Sequence, residues 1–142
     1  MNYILDTNVI SQLVARKPDL QVIHWLESVP PEQVFLSVIT LGELQKGMEK
    51  LPTSARKTEL LAWLEHDLLS RFRDHLLSVD VPVMLAWGSL TARLEAAGRP
   101  IPAIDSLLAA TALVYGCTLV TRNIKDFAAT GILVLDPWQY HG

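Results

Sequence analysis

Short apolar runs alternate with longer segments whose apolar residues recur at helical spacing, and the alternation persists along the whole chain. Tyr3-Ile4-Leu5 predicts a first strand that stops at Asp6, where Asp6-Thr7-Asn8 offers capping side chains for a helix. Val34-Phe35-Leu36-Ser37-Val38 predicts a second strand, entered through the turn-forming pair Pro30-Pro31. A helix carrying Glu43 follows it, with Gly47 loosening the end. Thr53-Ser54 and Glu59 open a longer helix, in which Leu60, Leu61, Leu64, Leu68 and Phe72 form an apolar stripe. Trp63 and Leu69 fall on its two flanks, so this face either packs between two neighbours or meets something besides the core. Leu76 to Val79 predicts a third strand. Val83, Trp87, Leu90 and Leu94 give the next helix its core face; Asp80, just before Pro82, belongs to its entry and Gly98 ends it. Pro100 and Pro102 lead into an almost wholly apolar helix, Leu107 to Tyr115, closed by Gly116. Thr118 to Thr121 and Ile132 to Leu135 are the last two strands.

Strand and helix patterns in alternation predict an α/β fold: one domain over residues 1–142, with a central parallel sheet of about five strands flanked by helices on both faces. Ligands of such sheets bind beyond the carboxyl ends of the strands. That rule draws attention to four acids, each where an apolar segment gives way to a polar one: Asp6, Glu43, Asp105 and Asp126. A carboxylate beside a buried strand or helix end is costly unless something neutralises it. If the four share one cleft, their repulsion asks for a divalent cation, and all-oxygen ligands select Mg²⁺ or Mn²⁺. Asp6 and Asp126 follow strands and Glu43 lies on the first turns of a helix after one. Asp105 starts the helix that feeds the fourth strand, and its placement at the same end depends on tertiary packing.

Taken singly, each acid has a plainer reading. Asp6 is either a cap or a ligand, Glu43 a solvated helix residue, Asp105 an acid at a helix start and Asp126 part of a local side-chain turn. The helix after Asp105 is apolar nearly all round, so its start is expected inside the domain, where a charge needs a partner. Thr7, Thr121 and Asn123 are candidate minor polar contributors, against the alternative that they serve turns and caps. Arg99 and Arg122 are candidate contacts for a substrate phosphate, against the alternative of solvated surface arginines.

Composition narrows the functional classes. Of 142 residues half are hydrophobic and 19% are charged, which allows a proper core and argues against disorder. The net charge of −3 gives no long-range attraction to nucleic acid, so such a substrate would need a local basic rim or bound cations. The four histidines share no ligand spacing, and the single cysteine, Cys117, reads as a buried small hydrophobe. The start of the chain does not read as a cleaved signal peptide. The longest charge-free run, Ser106 to Thr121, is shorter than the roughly 20 residues of a membrane span. A soluble cytoplasmic protein with no membrane contact is expected.

The motifs resemble those of a known family. Asp6-Thr7-Asn8 after a short strand looks like the opening motif of PIN-domain nucleases, and Ser37 to Leu44, with Glu43 in the acidic position and Gly47 following, resembles the second. Pro102-Ala103-Ile104-Asp105 with Leu107-Leu108-Ala109-Ala110 is similar to the third motif, and Thr121-Arg122-Asn123 with Asp126-Phe127 to the fourth. Each piece is weak; the ordered set is specific and covers essentially the whole chain. Within the family the likeness is to VapC-type toxins of toxin–antitoxin pairs, in their FitB-like group. The resemblance implies a single PIN-like domain acting as a magnesium- or manganese-dependent endoribonuclease. Asp6, Glu43, Asp105 and Asp126 would be its acidic cluster, and water would attack RNA phosphodiesters in line. It further implies a homodimer held in check by a small VapB-like antitoxin. Two rival readings stand beside it: an aspartyl-phosphate phosphotransfer domain, and a catalytically silent interaction module using the wide stripe around Trp63.

Overall fold

Asn2–Leu5 forms the central strand β1, because Ile4 and Leu5 alternate onto opposite faces of the sheet and both are fully buried. The computed structural model describes residues 1–142. After β1 come the short helix α1 (Thr7–Ile10), α2 (Leu20–Ser28) and strand β2 (Val34–Ser37). Then follow α3 (Val38–Glu49), α4 (Ala55–Ala62), a π-helical turn over Trp63–Leu68, α5 (Leu69–Arg71) and strand β3 (Leu76–Leu77). The chain continues through α6 (Val81–Ala96), α7 (Ala103–Tyr115), β4 (Cys117–Val120), α8 (Ile124–Phe127) and β5 (Val134–Leu135).

All strand pairs are parallel, and the order is β3-β2-β1-β4-β5. The α/β class, the parallel sheet and the expected number of strands are therefore as the hydrophobic pattern predicted. Leu5, Leu36 and Val120 face a core shared with α1 to α5, including Val9, Trp25, Leu44 and Phe72. Ile4, Leu77 and Leu119 face the other core, built from Leu90, Leu94, Leu108, Ala109 and Phe127 of α6 to α8. The connections out of β1 and β2 run to one side, whereas β4 leads to the other. The loops leaving β1 and β4 consequently diverge, and a crevice opens above their carboxyl ends.

One helix stands where the sequence pattern predicted none, and one choice that the pattern left open is decided. Residues 20–28 form a helix that the pattern reading passed over; Asp19 caps it by accepting from the backbone N–H of Gln21 at 2.9 Å and of Val22 at 3.4 Å. The wide stripe on the helix through Trp63 faces the core: Leu64, Leu68 and Phe72 are buried, with Leu60, Leu61 and Trp63 packed against them. The π turn explains the width. Its extra residue rotates the following side chains, so two slightly offset stripes serve one core.

Candidate metal centre at the β1–β4 crevice

Asp6 is the first residue beyond β1, and its N–H still donates to the Val120 carbonyl of β4 at 2.9 Å, which fixes it at the crevice. It is 7% exposed. Its Oδ1 accepts from the Thr7 N–H at 2.7 Å, and its Oδ2 accepts from the Thr121 hydroxyl at 2.8 Å. Thr121, fully buried one residue past β4, also accepts from Asn8 Nδ2 at 3.2 Å and from the Asn123 N–H at 3.0 Å. Asn8 Oδ1 in turn accepts from the Arg122 N–H at 3.3 Å, so one amide stitches the two strand ends together. The sequence marks Asn8 as a cap and as the last residue of the Asp6-Thr7-Asn8 motif, and that motif position is the only local signal for this link.

Glu43 projects from the second turn of α3, which starts directly after β2 because Ser37 accepts from the Ile39 N–H at 3.0 Å. Glu43 Oε1 accepts from the Thr7 hydroxyl at 2.7 Å, so Thr7 joins the first and second acids. One turn before Glu43, Thr40 is buried with its hydroxyl unpartnered. Asp105 lies in the first turn of α7, which starts at Ala103, four residues ahead of the expected Leu107. The helix runs down to Gly116, whose φ of 64° allows the left-handed turn into β4. Being antiparallel to β4, it brings its own start to the carboxyl end of the sheet. Trp87 of α6 steadies that start: its Nε1 donates to Ser106 Oγ at 2.8 Å, and Ser106 Oγ donates to the Ala103 carbonyl at 2.9 Å. Asp126 is exposed on α8.

Electrostatics tie the four acids to one place. Burial pushes the Asp6 carboxyl above the ordinary carboxylate range; the Thr121 and Thr7 hydrogen bonds pull it back in part, and the charge of Asp126 adds to the rise. Asp105 is also pushed up, by partial burial first and then by the charges of Asp6, Glu43 and Asp126. The charges of three acids from three other segments thus all reach Asp105. The four are neighbours rather than a closed cage: no three acidic, histidine or cysteine side chains are drawn together tightly enough to hold a metal ion as they stand. The donor set still suits a hard divalent cation, because it is all oxygen and its two most perturbed members are destabilised as bare anions.

The basic candidates divide. Arg99 lines a cleft of about 400 Å³ together with Asp105, Asp126 and Lys125, a lysine the sequence reading did not single out. Arg122 is exposed beside the crevice with its guanidinium 5.1 Å from the Trp138 ring centroid, a cation–π contact that holds it near the mouth. Asn123 enters the site through its backbone N–H, and its side chain makes no capping bond.

Comparison with known proteins agrees with this architecture. Residues 3–133 match the PIN domain family. The plasmid stability protein StbB of Pseudomonas syringae is 38% identical over 96% of this chain and 98% of its own. Toxin FitB of Neisseria gonorrhoeae is 36% identical over 96% and 98%, and the VapC ribonuclease Y4jK of Sinorhizobium fredii 33% over 96% and 97%. Among solved structures, FitAB bound to an IR36 DNA fragment superposes with a TM-score of 0.91 at 33% identity, covering 99% of this chain and 98% of that one. VapBC2 from Rickettsia felis, bound to a DNA fragment from its promoter, gives 0.79 at 31% identity over 96% and 98%. With acids at the crevice, matching motif order and full-length likeness together, the chain belongs to the PIN domain family.

Proposed function

We propose that this protein is the toxin of a toxin–antitoxin pair and a Mg²⁺- or Mn²⁺-dependent endoribonuclease. The observation that carries the reading is the convergence at the β1–β4 switch point of Asp6, Glu43 (held by the Thr7 hydroxyl) and Asp105, whose carboxyl the charges of Asp6, Glu43 and Asp126 push up. Ribonuclease names among relatives of similar length, and solved toxin–antitoxin complexes of the same fold, support the substrate class and the partner.

Asp6, Glu43 and Asp105 would hold the cation, with Asp126 completing the set. When bound, it supplies a water nucleophile at neutral pH and offsets charge on the attacked phosphate. The remaining work falls to the chain. Thr121 and the Thr7 N–H fix the Asp6 carboxylate in one orientation, and the Thr7 hydroxyl does the same for Glu43. Arg99, Lys125 and Arg122 offset the negative charge of an incoming RNA backbone, which the net charge of −3 would otherwise repel. In-line attack by water leaves a 5′-phosphate and a 3′-hydroxyl.

The partner is a small VapB-like antitoxin, by analogy with the FitAB and VapBC complexes, and the toxin itself pairs as a homodimer in this reading. Exposed Val81, Met84 and Leu85 on α6 and Leu113 on α7 offer apolar surface for such contacts. No helix is long and apolar enough to cross a membrane. The test is RNA cleavage by purified protein with Mg²⁺, with Mn²⁺ and with chelator. Activity restored by either ion and absent in Asp105→Asn is expected; equal cleavage by wild type and Asp105→Asn would overturn the reading.

A further inference from the structure

The groove beside Glu43 has features that the packing of the fold does not require. It has a volume of about 450 Å³ and is lined by one face of α3, by Lys50 just past its end and by Ile104 of α7. Gly42 and Gly47 lie inside α3 at ordinary negative φ, and a Cβ added to either would meet nothing within 4 Å. Each costs roughly 1 kcal/mol of helix stability relative to alanine, although no turn or close approach within the chain demands it. Val38 and Ile104 leave 38% and 43% of their surface in water. Lys46 and Lys50, one turn apart on the same face, are exposed and unpaired; the chain's one ion pair joins Arg56 and Glu59.

We propose that this groove is a subsite for single-stranded RNA flanking the scissile phosphate. Lys46 and Lys50 pair with backbone phosphates, Val38 and Ile104 carry the face of a base, and the two glycines keep the helix surface low enough for the strand to lie along it. The inference rests on the ribonuclease reading above. Continuity favours it: Glu43 belongs to both groove and crevice, and Ile104 adjoins Asp105, so a strand in the groove reaches the acids without leaving the surface. Charge favours it too. A pair of unpaired ammonium groups on a chain of net negative charge suits a polyanion better than an apolar peptide.

The test measures binding of a short unstructured oligoribonucleotide to full-length protein by fluorescence anisotropy across a salt series. Asp105→Asn serves as the background so that RNA is bound and not cut. Adding Lys46→Gln with Lys50→Gln should weaken binding and flatten the dependence of log K on log salt by about 1.4, the single-strand value for two phosphate contacts. Gly47→Leu, which improves helix propensity, should weaken binding severalfold and leave the salt slope unchanged. In otherwise wild-type protein both changes should raise KM for RNA with little effect on kcat. If wild type cuts RNA while affinity, slope and KM are indifferent to both changes, the subsite is wrong. It is equally wrong if both changes weaken only the cognate antitoxin, which would make the groove a protein-docking site. A wild type that neither binds nor cuts RNA overturns the ribonuclease reading and this inference with it.

Discussion

The two halves of the acidic site are built differently. On the β1–β4 side, Asp6 and Glu43 are held by Thr7 and Thr121, and Asn8 ties the strand ends together, with every hydrogen bond supplied by motif residues. On the α7–α8 side, the Asp105 and Asp126 carboxylates have no hydrogen bond from the chain, and Asp105 is pushed up by the charges of Asp6, Glu43 and Asp126. The first half is oriented by the fold. The second half is presented by it but left unsatisfied, which is where a cation has most to contribute. Loss of Asp105 should therefore remove binding power, whereas loss of Thr121 should mainly blur orientation.

The largest expected effect is on activity. Asp6→Asn and Asp105→Asn should each lower RNA cleavage by at least about a hundredfold, the scale on which one preorganised group acts on transition-state charge. Circular dichroism should show an unchanged fold. Both substitutions should also raise the melting temperature of metal-free protein at neutral pH. Burial and like charge raise the folded pKa of both acids above the ordinary value of 3.8, so between those two values the native state holds more protons than the unfolded chain. Stability is then fullest below the ordinary value and is lost as pH rises through the raised one. Thermal melts at stepped pH should show this decline in wild type and a smaller one in either Asn variant. Asp80 has the opposite sign: the Tyr115 hydroxyl, 2.7 Å away, and the Val83 N–H hold it below the ordinary value, so its contribution disappears only at lower pH.

Disturbing orientation should cost less. Thr121→Val removes the hydroxyl that donates to Asp6 and accepts from Asn8 and Asn123, and cleavage should fall roughly tenfold to a hundredfold with metal affinity. Titration of Asp6, followed by carboxyl NMR shifts, should move further up in that variant, because a contact favouring the anion is gone. An unmoved Asp6 would mean that Thr121 serves packing alone. The smallest effect is expected from Arg122→Ala. Its contact with Trp138 is of the exposed cation–π kind, worth about 0.5–1 kcal/mol, so chemical denaturation should register a loss of that order and KM a modest rise.

The hydrophobic pattern made the sheet legible because β1, β2 and β4 are short apolar runs buried largely on both faces, which leaves few alternatives at this chain length. It also located Asp6, since a strand that ends in Asp-Thr-Asn announces both a terminus and a cap. The placement of Asp105 was open to the same logic. A helix that feeds a parallel strand through a short turn runs antiparallel to it, so its first residues return to the sheet's carboxyl end. What could not be read was the partnership of side chains distant in sequence: Thr7 with Glu43, Asn8 with Thr121, Trp87 with Ser106. Those pairings depend on helix crossing angles that no local pattern encodes. Helix α2 was passed over for a different reason, because Asp19 and Glu27 marked a polar stretch and masked the apolar spacing of Val22, Trp25 and Leu26.

The central claim is that acids far apart in the chain gather into one cation site, and calorimetric titration of Mn²⁺ into the purified protein tests it most directly. Saturable binding in wild type that is lost in both Asp6→Asn and Asp105→Asn, with both variants folded, is the predicted result. Undiminished Mn²⁺ affinity in those two variants would contradict it.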